Sequence, residues 1–166
     1  MVNGLVEGKD FYYLPDNTMM PWVTPDRFVL IAMYGTAADV ENTLLRVGAA
    51  VVDTVVEPQG MNALHYAVRR GNVRMVEVLL AFGANPNVSM TSLSAGSTPL
   101  LLACKYNQLA CAQALVASPA FQSSSLKGFE TDQKMTALCW ACVHANVEMV
   151  ELLLHKAIGM GVDTKD

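Results

Sequence analysis

The sequence predicts an all-α chain of stacked helix–turn–helix pairs, and three observations carry that reading. The hexapeptides Asn62-Ala63-Leu64-His65-Tyr66-Ala67, Thr98-Pro99-Leu100-Leu101-Leu102-Ala103 and Thr136-Ala137-Leu138-Cys139-Trp140-Ala141 recur at offsets of 36 and 38 residues. Each is followed by an apolar stripe at i, i+1, i+4 and i+5: Met75, Val76, Leu79 and Leu80, then Cys111, Ala112, Leu115 and Val116, then Met149, Val150, Leu153 and Leu154. That spacing lays apolar side chains along one side of a helix of period 3.6. Between hexapeptide and stripe stands a breaker, Gly71-Asn72 in the best-formed unit. A unit of this kind cannot bury its apolar side alone, so its copies must stack.

Taken in order, the chain divides into a leader and four repeats. Residues 1–24 match no repeat. They hold Phe11-Tyr12-Tyr13-Leu14-Pro15 and Met19-Met20-Pro21-Trp22, and three prolines by residue 25 exclude a long helix there. The favoured reading is a cap over the exposed end of the stack. A docking segment for a partner is the other.

The first repeat, residues 25–59, is degenerate. Ala32, Leu44, Leu45, Gly48 and Ala49 sit 35 residues before Ala67, Leu79, Leu80, Gly83 and Ala84. Thr24-Pro25 offers a helix cap and a first helical residue, a position that suits proline. In the second repeat, residues 60–95, the Asn62 side chain can accept a hydrogen bond from a free amide of the first turn. Gly83 can take the left-handed turn that ends its second helix. The third and fourth repeats span residues 96–133 and 134–166. Their extra length falls in two Ser/Thr-rich connections, 88–95 and 120–133, expected to form elongated fingers or loops. Asn107 and Ala145 replace the glycine between the helices; asparagine tolerates a left-handed turn and alanine adopts it at a cost.

The hexapeptides resemble the T-P-L-H-x-A pattern of the ankyrin repeat, most closely at Asn62–Ala67 and Thr98–Ala103. The resemblance covers residues 25–166 and implies an ankyrin-repeat solenoid with hairpin-like finger loops. Lys134 stands where that family often has glycine, and Arg27 and Phe28 fill its threonine and proline slots in the first repeat. Gly161-Val162-Asp163-Thr164-Lys165-Asp166 resembles the segment by which one repeat passes into the next. The expectation is a domain cut from a longer protein, with an oligomerisation surface as the other reading of Leu152, Ile158 and Met160.

Composition narrows the function. A hydrophobic share of 52% with 16% charged residues and ten methionines suits a chain with one substantial core. No apolar run approaches the ~18 residues of a membrane span, and Met1-Val2-Asn3-Gly4 lacks a signal peptide's features. A net charge of −4 argues against broad nucleic-acid binding, which rewards clustered Lys and Arg. Four cysteines without a secretion signal favour a reducing compartment, cytoplasmic or nuclear. Asn87-Val88-Ser89 is a formal glycosylation sequon that has no meaning there.

Chemistry is sparse. Cys139-Trp140-Ala141-Cys142 is a C-x-x-C inside a predicted helix, without the strand-to-helix setting of a thioredoxin site. Cys104 and Cys142 fill the slot of Val68, and Cys111 that of Met75, so all the cysteines are read as core. In the resembling family, the slot of His65 is structural. No H-E-x-x-H, phosphate-binding loop or dinucleotide fingerprint occurs. The expectation is no enzyme, no cofactor and no metal site.

What remains is a surface. The resemblance implies that a protein or peptide partner lies along the concave side, against the first helices and the finger tips. Carried onto this sequence, the helix positions are Tyr34, Arg69, Arg70, Lys105, Tyr106, Val143 and His144. The finger positions are Pro58, Gln59, Met61, Ser94, Ala95, Ser97, Asp132, Gln133 and Met135. Arg and Tyr are enriched at binding hot spots, and a basic, aromatic strip on an acidic chain would favour an acidic or extended segment. Two other functions stay open: a regulatory or targeting domain of a larger enzyme, and a zinc- or redox-responsive thiol switch. The switch predicts bound metal or reactive native thiols, whereas burial of the cysteines predicts neither.

Overall fold

A computed structural model describes residues 25–57, 60–91, 96–122, 126 and 134–159, with the side chains of Pro25, Ile158 and Gly159 left aside. The leader, Pro58, Gln59, Ser94, Ala95, Asp132, Gln133, Met160 and the closing segment lie outside those residues, as do parts of both long connections. The described helices form four antiparallel pairs. They are α1 (Pro25–Tyr34) with α2 (Ala37–Val47), α3 (Ala63–Arg69) with α4 (Val73–Ala81), α5 (Pro99–Lys105) with α6 (Leu109–Ala117), and α7 (Ala137–Val143) with α8 (Val147–Gly159). A short 3₁₀ turn, Ala49–Val51, follows α2.

Stacking follows the repeat. α1, α3, α5 and α7 pack in succession, and α2, α4, α6 and α8 do the same on the other side. Side chains from neighbouring pairs fill one continuous core, in which Phe28, Leu64, Leu79, Leu100, Leu115 and Met149 are among the largest fully buried groups. Burying each such side chain is worth about 1.5–3 kcal/mol, so the stack rather than any single helix carries stability.

Most of the described helix starts have a local cause. Asn62, Thr98 and Thr136 accept hydrogen bonds from the amides of His65, Leu101 and Cys139 at 3.1–3.3 Å. Asn72 and Asn146 do the same for Met75 and Met149. α1 begins at Pro25, the first helical position read from the sequence. Thr36 starts α2 with a reciprocal capping box to Asp39. The interhelical turns at Gly71, Asn107 and Ala145 all take positive φ, at 67°, 54° and 51°, and Lys134 does so at 51°. Alanine and lysine therefore hold conformations that their Cβ atoms disfavour.

The bases of two fingers pair in hairpin fashion among the described residues. Val56 pairs with Met61 across the turn at Gly60, and Met90 donates its N–H to the Ser97 carbonyl at 3.0 Å. Two side chains tie successive loops together. Asp53 accepts the Asn85 amide at 3.0 Å, while Asn87 donates to the Ala120 carbonyl at 2.7 Å and accepts the Gln122 amide at 2.9 Å. Asn87, read in the sequence as an idle sequon, is a clamp between repeats.

The core expectation needs correction at one end. Cys104 and Cys111 are buried, but Cys139 and Cys142 are exposed. Cys142 fills the slot of buried Val68 and Cys104, and Cys139 that of buried His65 and Leu101. Each earlier slot is covered by the next helix pair. Among the described residues, α7 and α8 have repeat neighbours on one side only. The same asymmetry leaves Leu138 and Leu154 exposed, beside an apolar hollow of about 100 Å³ that Ala137, Leu153 and Ala157 also line. Leu45, on the stripe of the first repeat, is exposed as well.

Candidate partner-binding strip

The positions read from the sequence as partner contacts cluster at the C-terminal ends of α1, α3, α5 and α7. Stacking brings these ends side by side, so one residue set from each repeat contributes to a single strip. Tyr34 is 63% exposed, Tyr106 41% and Val143 62%. Arg69 and His144 are exposed, and Lys105 is half-buried. The finger positions behave differently. Met61 and Ser97 are buried, at 3% and 0% exposure, and cannot present side chains to a partner in this conformation. Met61 sits at the base of its finger, paired with Val56, and Ser97 adjoins the cap residue Thr98, so both turn towards the core. Met135 is half-buried.

Within the strip, polar atoms at the turns grip the preceding repeat. Arg70 Nη1 donates to the carbonyls of Ala32, Met33 and Gly35 at 3.2, 3.2 and 2.9 Å. Those oxygens end α1, where the last carbonyls lack helical partners and the helix dipole favours a cation. His144 repeats the device further along, its Nε2 lying 2.9 Å from the Lys105 carbonyl at the end of α5. A carbonyl only accepts, so this geometry assigns the proton to Nε2. Asn146 completes the clasp, donating to the Asn107 side chain at 2.7 Å. Arg70 and His144 thus act first on the stack.

An aromatic–cation group flanks the His144 clasp. Trp140 stacks on His144 with ring centroids 6.2 Å apart, and Lys105 Nζ lies 5.6 Å from the Trp140 ring centroid. Elsewhere on the strip, Tyr66 feels the charges of Arg69 and Tyr34. Burial pushes the Tyr66 phenol above its ordinary range, the Arg69 charge pulls it back, and Tyr34 adds to the rise. Trp140, Tyr66 and Gly35 were not singled out in the sequence. Trp140 and Tyr66 fall at the variable position one residue before the repeat alanine, and Gly35 has no counterpart in the hexapeptide pattern.

His65 sits apart, wholly buried beneath the finger. Its Nδ1 accepts the Asn62 amide at 3.2 Å while Asn62 accepts the His65 amide, a closed capping box. Burial lowers its pKa to about 4, against the backbone of Ser97 and Val88, which favours the charged ring. Nε2 makes no well-aligned hydrogen bond among the described residues, so this backbone support is weak.

Ankyrin repeats, as a family model of three copies, match residues 28–124 and 89–166 of the chain. The chain belongs to the ankyrin-repeat family. It is also similar to Inversin of Canis lupus familiaris, at 31% identity over 124 residues, which is 75% of this chain and 11% of that protein. Ankyrin repeats are generally protein–protein interaction modules and typically non-catalytic. Among the described residues, no group of three or more metal-ligating side chains converges, and no helix is long and apolar enough to cross a membrane.

Proposed function

We propose that this ankyrin stack is a non-catalytic binding module that holds an acidic or extended segment of a partner protein along the strip of Tyr34, Arg69, Lys105, Tyr106 and Val143. The observation that carries the reading is the alignment of exposed Tyr34, Arg69 and Tyr106 with half-buried Lys105 at corresponding ends of successive helices, on a chain whose net charge is −4. Tyr and Arg supply area and directed hydrogen bonds together, the combination found at interface hot spots. The basic groups add steering and select against basic partners. The four repeats with the boundaries given above form the module, and residues 1–24 cap it.

The test compares the native chain with Arg69→Glu/Lys105→Glu against a set of extended peptides graded in charge. Arg70 is left intact because it holds α1, and circular dichroism verifies the fold. Acidic peptides should bind the native chain, lose affinity about tenfold or more in the variant, and weaken with added salt. Equal binding by both proteins would reduce the strip to a solvated helix edge.

A second reading has one observation in its favour. The chain spans 11% of the length of Inversin, so the module can serve within a longer polypeptide as its targeting or regulatory part.

A further inference from the structure

The end of the stack carries chemistry that the partner strip does not use. We propose that Cys139 and Cys142 form a reversible dithiol–disulfide pair, oxidised by low-molecular-weight disulfides. Both thiols are exposed, one helical turn apart on α7, in slots that earlier repeats bury. Helical geometry places Cα atoms at i and i+3 about 5 Å apart, inside the 4.4–6.8 Å range that a disulfide spans. Tightening α7 towards 3₁₀ geometry, where i and i+3 side chains eclipse, closes the remaining gap between the sulfurs.

The surroundings assign unequal roles. The Thr136 hydroxyl donates to Cys139 Sγ at 3.2 Å, a bond that favours the thiolate and lowers this thiol's pKa. The Thr136 hydroxyl also accepts the Cys139 amide, so the same residue fixes the local backbone. Cys139 is therefore the attacking thiol and Cys142 the resolving one. Cys104 and Cys111 do not compete, because burial pushes them up to about 12 and about 11 and hides them.

The exchange balances without a metal. The Cys139 thiolate attacks one sulfur of glutathione disulfide, forming a protein–glutathione disulfide and expelling one glutathione thiolate. The Cys142 thiolate then attacks Cys139 Sγ, closing the intrahelical disulfide and expelling the second. Two electrons pass from the protein thiols to the glutathione, which takes up the two protons released. An i, i+3 disulfide constrains little chain and retains strain, so it is readily reduced.

The test treats the whole chain with glutathione disulfide, alkylates remaining thiols natively, then unfolds it and labels the rest for mass spectrometry. In the reduced protein, Cys139 and Cys142 should label more than about tenfold faster than Cys104 and Cys111. After oxidation, the peptide holding residues 139–142 should lose two hydrogens and regain them with dithiothreitol. Cys142→Ser should stop at a single glutathione adduct on Cys139. Protection of all four thiols would overturn the proposal by showing the end face covered. Stable double glutathionylation without a link, or retention of zinc by the reduced protein in place of disulfide formation, would also overturn it.

Discussion

Arg70 Nη1 lies 2.9 Å from the Gly35 carbonyl oxygen and, through the same nitrogen, reaches Ala32 and Met33. One guanidinium therefore closes the end of α1 from the following repeat. Arg69, its neighbour in sequence, points to solvent. The two adjacent arginines thus divide, Arg70 tied to the end of α1 and Arg69 left to solvent, a division that geometry makes and residue type does not.

Arg70→Ala should lower stability by about 1–2 kcal/mol, because charged hydrogen bonds are worth more than neutral ones and removal leaves carbonyls without a protein partner. Arg69→Ala should stay within about 0.5 kcal/mol of the native chain, as an exposed substitution. Urea denaturation of both variants measures the difference. Equal midpoints would show that water replaces the clasp at no cost.

Gly35 belongs to the same device. A Cβ there would stand 2.6 Å from the Ile31 carbonyl oxygen, a backbone atom that cannot swing aside. Gly35→Ala should therefore shift the end of α1, costing about 1–3 kcal/mol as an overpacking change. Its loss should be less than additive with Arg70→Ala in a double-mutant cycle, since both act on one carbonyl cluster. Strict additivity would separate the two effects.

The sequence disclosed the fold because ankyrin-type helices are local objects. Caps at Asn62, Thr98 and Thr136, breakers at 71, 107 and 145, and apolar stripes all fall within one repeat and need no long-range information. The geometry of the proposed strip was only partly legible. The family resemblance marked Tyr34, Arg69, Arg70, Lys105, Tyr106 and His144 alike, but could not show that Arg70 and His144 reach back 35 and 39 residues to carbonyls of the preceding unit. Nor could it tell an inner slot from an end slot. Cys142 and Cys104 share a slot and differ in exposure only because of what stacks on them.

Ala145 marks a correctable strain. Its φ of 51° occupies a region that costs a non-glycine residue about 1–2 kcal/mol. Ala145→Gly should raise stability by up to about 1 kcal/mol, after part of the gain is offset by glycine's greater freedom in the unfolded chain. For a chain of this size that is a rise of about 2–4 °C in Tm, measurable by calorimetry. Lys134→Gly, at the same φ, tests the rule independently. Unchanged or lowered Tm in both would mean that their neighbours hold these turns without strain.

His65 makes the stack sensitive to acid, and the sign follows from where the proton binds. Its folded pKa is about 4, below the ordinary 6.5, because burial penalises the imidazolium. Between those values the unfolded chain takes up the proton and the folded chain does not. Stability is therefore unaffected by this group above pH 6.5 and falls as pH drops towards 4. At about 1.4 kcal/mol per unit, the loss approaches about 3 kcal/mol by pH 4. His65→Gln keeps a capping-box acceptor opposite Asn62 but cannot titrate. Its stability relative to the native chain should rise steadily as urea denaturation is moved from pH 7 to pH 5. A difference independent of pH would show that the native ring protonates in place, supported by the backbone of Ser97 and Val88.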